Sequence, residues 1–235
     1  MIMDKTKNIP IISAENIEML FDGKFLRFTD LQYAPEKHYY NATRRTKENL
    51  AAIKSDKEFQ NMLADAVSCI VILDMKNEEP KLLLSYEYRY PAGRFLLSVP
   101  AGLVDEEDKT KDNPLAVTAV REIKEETGLD VNNGDTITVI NPFLFSSPGM
   151  SDEGNALVCA ILHPDDLSSL SQSGAEGTEL FNGFTLLAEA DAKKILNNGR
   201  DEYGNFYSMY TWAALTYFVS GMWKNNQQNA ERGSM

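Results

Sequence analysis

The order of apolar and polar positions divides the chain into a strand-rich beginning, a helical connector, a strand-rich centre and a helical end. Between residues 17 and 45 the runs IEMLF, KFLRFTDLQY and HYYNATRR are broken by Asp22-Gly23 and by Ala34-Pro35-Glu36. An Asp-Gly pair flanked by such runs is a hairpin signal, because both residues tolerate the left-handed backbone of tight turns. Residues 46–65, TKENLAAIKSDKEFQNMLAD, lack glycine and proline and are rich in helix formers, which predicts a helix or two.

From residue 66 the pattern turns to strands, AVSCIVILDM, KLLLSYEYRY and RFLLSVP, separated by Lys76 to Pro80 and by Pro91-Ala92-Gly93. A helix is predicted from Pro114, a favoured first helical residue, to just before Gly128, which suits the left-handed position after a helix end. Next come a strand near 136–140, a loop at 146–154 and a further strand, ALVCAIL. The polar, serine-rich stretch 164–178 reads as an exposed loop or insertion, and ADAKKILNN and SMYTWAALTYFVSGMW as closing helices. No internal repeat is visible. The expected organisation is a β-rich unit with a helical connector over residues 1–60 and a main domain over 61–235.

Composition narrows the class. At 235 residues, 43% hydrophobic and 25% charged, the chain has the make-up of an ordinary globular protein and no apolar run long enough to span a bilayer. MIMDKTKNIP is not followed by the apolar stretch of a secretory signal, so a cytoplasmic location and no membrane partner are expected. Cys69 and Cys159 sit inside apolar strand-like runs, as small buried hydrophobes do. A net charge of −12 argues against a nucleic-acid binder, which needs a clustered basic surface. It is compatible with a phosphorylated small molecule if divalent cations lie between carboxylates and phosphate oxygens.

The chemistry concentrates in REIKEETGL, residues 121–129. On a helix, Glu122, Glu125 and Glu126 are spaced i, i+3, i+4 and project from one side, where like charges repel. A shared Mg²⁺ or Mn²⁺, a hard cation that prefers oxygen ligands, would remove that repulsion. Arg121 is four residues before Glu125 and placed to hold it by a bidentate pair. Ala116, Ala119, Val120 and Ile123 form an apolar side expected to pack on the sheet. The alternative is a solvated, charged helix face.

Together with Gly102 and PAGLVD, this block resembles the signature of the Nudix hydrolases. Counting that signature forward from Gly102 puts its first glutamate at Asp108, and counting back from Arg121 puts it at Asn113, so EEDKTKDN carries an insertion. The resemblance implies an α+β fold, an α/β/α sandwich around a mixed sheet, with the small β-rich unit added at the N-terminus. It implies Glu122 and Glu126 as main metal ligands, Glu125 as a third carboxylate and the Ala101 carbonyl as a further ligand, with Arg121 in the catalytic set. The cofactor expected is Mg²⁺ or Mn²⁺, and the reaction hydrolysis of a diphosphate without a covalent intermediate.

Similarity to the ADP-ribose pyrophosphatase branch covers most of residues 17–220. EYRYPAGRFLLSVPAGLVDEE nominates Arg89 as a phosphate clamp, the alternative being a surface ion pair. SSPGMSDE is similar to the branch's Ser-Pro-Gly loop. The resemblance puts Met150 and Gly102 among substrate contacts, and within the loop Glu153, with Asp152 as substitute, is the candidate base; either could instead cap the loop backbone. Tyr39, Tyr40, Arg44 and Arg45 occupy the region that grips the adenosine end in a two-fold homodimer, although both tyrosines could be core residues. Where much of the branch has Leu-Glu-hydrophobe-Pro, this chain has Leu97-Ser98-Val99-Pro100. The expected substrate is ADP-ribose or a similar nucleoside diphosphate sugar. The alternatives are another nucleoside diphosphate derivative or a dinucleotide, and, from another class, a catalytically silent nucleotide sensor.

Overall fold

The structure, a computed structural model, describes residues 9–175 and 177–225. Residues 1–8, which hold most of the stretch read for a secretory signal, lie outside the described residues. The chain forms two compact units, Met1–Asp65 with Phe143–Asn155, and Ala66–Pro142 with Ala156–Met235.

In the first unit β1 (Ile17–Asp22), β2 (Arg27–Ala34) and β3 (Lys37–Thr43) form an antiparallel sheet in sequence order. Asp22 ends β1 opposite Arg27 and pairs with it at 2.7 Å, so the loop is Gly23 to Leu26 and not a two-residue Asp-Gly turn. Gly23 serves close approach, since a Cβ there would stand 2.6 Å from the Phe21 ring. The connector 46–65 holds less helix than expected. It contains 3-10 turns at Lys47–Asn49 and Ala51–Ile53 and one short helix, α1 (Asp56–Gln60), started by a Ser55/Glu58 capping box. Helix propensity without an apolar stripe to pack does not sustain a longer helix.

The second unit is built on a sheet of β4 (Ala66–Leu73), β5 (Lys81–Arg89), β6 (Arg94–Ser98), β7 (Ala101–Leu103), β8 (Thr136–Phe145), β9 (Gly154–Leu162) and β10 (Phe181–Leu187). The strand order is β10-β5-β4-β9-β8, with β6 on β5 and β7 on β4; the unit boundary falls within β8 and β9. β4 and β9 are buried at every position, which explains their unbroken apolar runs. β10 has no counterpart in the expected elements. Its Gly183, its register shift against β5 and its half-exposed side chains blur the strand period.

Among the described residues this unit is completed by α2 (Pro114–Thr127), α3 (Glu189–Asn198) and α4 (Met209–Ser220). The latter two cover one sheet face, and the main core lies between them and Ile70, Ile72, Leu82, Leu84, Leu97 and Ile161. α2 packs against β4 and β7. The result is the α+β layered arrangement around a mixed sheet that the resemblance implied. Cys69 and Cys159 are buried free thiols. No helix among the described residues is long and apolar enough to cross a membrane.

Candidate active site

α2 begins and ends where local chemistry dictates. Asn113 caps it by accepting from the Ala116 amide, Pro114 fills the first turn, and Gly128 ends it with φ +75° and its amide on the Lys124 carbonyl. A side chain at Gly128 would also strike the Ser169 carbonyl, 2.3 Å from an added Cβ. With Asn113 used as the cap, the residue in contact with the signature helix is Asp108. It is buried, accepts from the Thr118 hydroxyl at 2.9 Å, and takes two N–H groups of Arg121 at 3.1 and 3.3 Å.

Arg121 is therefore gripped through two N–H groups by Asp108, and its expected pair with Glu125 is made through a single N–H group and is not bidentate. Its Nη1 reaches Glu122 at 2.8 Å and Glu125 at 3.0 Å, and Nη2 donates to the Leu103 carbonyl at 2.9 Å. The packing face also differs from the expected one. Glu122 and Glu126 lie on the buried side with Leu115, Ala119 and Ile123, whereas Ala116 and Val120 are half-buried. The two glutamates are thus turned into the unit.

Gly102 makes room for this arrangement: a Cβ there would lie 2.0 Å from Glu122 Oε1. Glu126 accepts from the Ala101 amide through Oε1 at 3.3 Å, while its buried Oε2 has no hydrogen-bond partner. Burial pushes the Glu126 carboxyl up to about 9; the Ala101 amide opposes the rise, and like charges on Glu87, Glu122 and Glu179 add to it. Burial pushes Glu122 up to about 7, against the pull of Arg121 and with added repulsion from Glu125 and Glu179.

Glu87 and Glu179 are contributors that the sequence reading missed. In the β5–β6 pairing Ser85 is opposite Ser98 and Glu87 opposite Leu96, so Glu87 and Ser98 are diagonal neighbours on one face. The Glu87 carboxylate lies near the Ser98 hydroxyl, which donates to the Leu96 carbonyl at 3.3 Å, and pairs with Arg89 at 2.6 Å. A carboxylate thus stands beside Ser98, contributed by the adjacent strand. Its signal was the charged residue at an inward position of YEYR. Glu179 left no comparable signal within its polar loop. Arg89, the proposed clamp, is half exposed and anchored by Glu87.

The first unit gathers the remaining candidates. Glu153 forms an ion pair with Arg44, and Asp152 accepts from the Ala51 amide at 3.0 Å. Tyr39 donates to the Gly149 carbonyl at 2.7 Å, and the Met150 carbonyl accepts from the Ala42 amide at 2.9 Å, tying SSPGMSDE to β3. Arg45 is largely buried on Asp65 at 2.8 Å, whereas Tyr40 is exposed and stacks on Phe28 at 5.8 Å. A cavity of about 250 Å³ is lined by Leu31, Tyr39, Phe59, Phe145, Met150 and Asp152.

The donor set on α2 suits a hard divalent cation: two buried carboxylates and one buried oxygen that nothing satisfies. Among the described residues no three Asp, Glu, His or Cys side chains converge into a ready ligand group. Arg121 Nη1 stands between Glu122 and Glu125, so cation binding there requires that guanidinium to yield.

Residues 62–203 match the model of the NUDIX domain family. An uncharacterized Nudix hydrolase of Schizosaccharomyces pombe is 25% identical over 161 residues, 67% of this chain and 68% of that one. An ADP-ribose pyrophosphatase of Saccharomyces cerevisiae is 26% identical over 159 residues, 66% of this chain and 60% of that one. An ADP-sugar pyrophosphatase of Mus musculus is 25% identical over 153 residues, 65% and 62% of the two chains. In fold, the chain is similar to the crystal structure of an ADP compounds hydrolase, with TM-score 0.54, 18% identity and coverage of 95% and 98%.

Proposed function

Given that the chain belongs to the NUDIX family, we propose that it hydrolyses the diphosphate linkage of ADP-ribose or a similar nucleoside diphosphate sugar, releasing AMP and a sugar phosphate. The observation that carries this reading is the seat of Glu126 and Glu122, buried side by side with one carboxylate oxygen unsatisfied. A buried carboxylate oxygen without a partner, beside a second buried carboxylate, offers a cation a ligand that costs no existing hydrogen bond. The names of the yeast and mouse relatives support the choice of an ADP-linked sugar.

Glu122 and Glu126 would hold Mg²⁺ or Mn²⁺ with the Ala101 carbonyl, and Glu125 would join them. When bound, such a cation polarises the diphosphate and offsets its developing negative charge. The chain's own residues do the rest. Asp108 and the Leu103 carbonyl fix Arg121, whose Nη1 reaches Glu122 and Glu125. Glu87 fixes Arg89, whose fork of N–H groups suits a phosphate oxygen pair. In the first unit, Arg44 orients Glu153, the candidate base that takes a proton from the attacking water. Tyr40, Arg45, Met150 and Gly102 are the further substrate-contact candidates.

The test is incubation of the purified protein with ADP-ribose and Mg²⁺, following AMP release, beside a panel of nucleotide sugars and dinucleotides. Turnover of ADP-ribose is expected, and inertness toward the whole panel refutes the enzyme reading. Glu126→Gln should lower kcat by about a thousandfold with the fold intact, because a neutral amide is a poorer ligand for a hard cation than a carboxylate.

A further inference from the structure

Seven arginines lie among the described residues. Arg27, Arg44, Arg45, Arg89 and Arg121 each hold a carboxylate. Arg94 and Arg200 hold none among those residues, in a chain of net charge −12. Both line one cavity of about 330 Å³ in the second unit, together with Leu96, Asn205, Phe206 and Ser208. None of its lining residues belongs to the carboxylate group on α2.

Each guanidinium is anchored by a single backbone carbonyl. Arg94 Nε donates to Ala92 at 3.3 Å and Arg200 Nη1 to Gly204 at 2.8 Å, so the remaining N–H groups of each fork are available. Arg200 also lies over the Phe206 ring at 4.0 Å, which fixes its plane. Phe206 is 66% exposed, leaving the rest of its surface open to a second flat group. Ser208 is the N-cap of α4, so the positive end of that helix dipole adds to the two charges.

Two planar cations, a helix start and an open aromatic ring around a space of this size match a small phosphate ester that carries a flat heterocycle. We propose that this cavity binds a mononucleotide, with its phosphate on Arg94 and Arg200 and its base against Phe206. A carboxylate or a bare sugar phosphate would satisfy the arginines and leave Phe206 unused.

The experiment is calorimetric titration of AMP, ribose 5-phosphate and inorganic phosphate into full-length Glu126→Gln protein, which keeps binding separate from hydrolysis. It is repeated with Arg94→Gln/Arg200→Gln and with Phe206→Ala added to that background, each checked by thermal melting; Arg94→Gln alone serves if the double variant unfolds. AMP should bind, weaken about tenfold or more without the arginines, and weaken without Phe206 while phosphate binding is retained. No AMP binding, AMP binding indifferent to the arginines, or binding of AMP and ribose 5-phosphate equally with no effect of Phe206→Ala would each overturn the proposal. Hydrolytic activity of the arginine variants in the Glu126 background restored is measured in parallel, so that loss of the proposed enzyme function is read separately.

Discussion

At the scale of single residues, Gly102 and Glu122 compete for one volume, because a methyl group on Gly102 would stand 2.0 Å from the carboxylate. Gly102→Ala must therefore displace Glu122 or the strand beneath it. Overpacking of this kind costs about 1–3 kcal/mol, and the side chain that gives way is the one proposed to hold the cation. We expect hydrolysis to fall at least about tenfold and the melting temperature by a few degrees; full activity in Gly102→Ala would remove Glu122 from the site. Asp108 is the other instructive residue. Two sequence counts competed for its role, and the structure separates them: Asn113 is consumed as a helix cap, and of the two only Asp108 contacts Arg121.

At the scale of elements, α2 carries ionisable groups on its buried side, and the cation-free protein should reveal this as pH-dependent stability. Glu122 and Glu126 bind their protons more tightly folded, with values pushed up to about 7 and about 9 from an ordinary 4.5. A raised carboxyl means that the folded state holds more protons across that window, so stability falls as pH rises from about 5 toward 9. Thermal melts in chelator across that range should show the decline, with Glu126→Gln flattening its upper part and Mg²⁺ restoring stability by binding the ionised folded state. A melting temperature that rises steadily over the same range would contradict the buried placement of these carboxylates. The elements themselves were largely legible. Pro114 and Gly128 bounded α2, and unbroken apolar runs marked β4 and β9. The connector and β10 were less legible, one because propensity lacked a packing face, the other because an edge strand with Gly183 does not alternate cleanly.

At the scale of the whole molecule, the first unit exposes Phe21, Phe25 and Leu26 beside the stacked Phe28–Tyr40 pair. Exposed apolar side chains grouped on one sheet are what a partner surface looks like. We propose that a second copy of the chain covers them. Sedimentation should give a dimer, and Phe25→Asp/Leu26→Asp should shift it to monomer; a wild-type monomer at micromolar concentration would count against the homodimer.

The amino-acid order alone determined the family, the bounds of α2 and the existence of the β-rich beginning, because these rest on short-range spacing: caps, i to i+4 neighbours and alternation along a strand. Which way α2 turns was decided only by tertiary packing, since the sheet buries Glu122 and Glu126 beside Gly102 and Ala101. The same holds for the partnership of Glu87 with Ser98, which lie on different strands and meet through register. It holds too for the pairing of Arg94 with Arg200 around one cavity, because over a hundred intervening residues no local rule of spacing brings charges together.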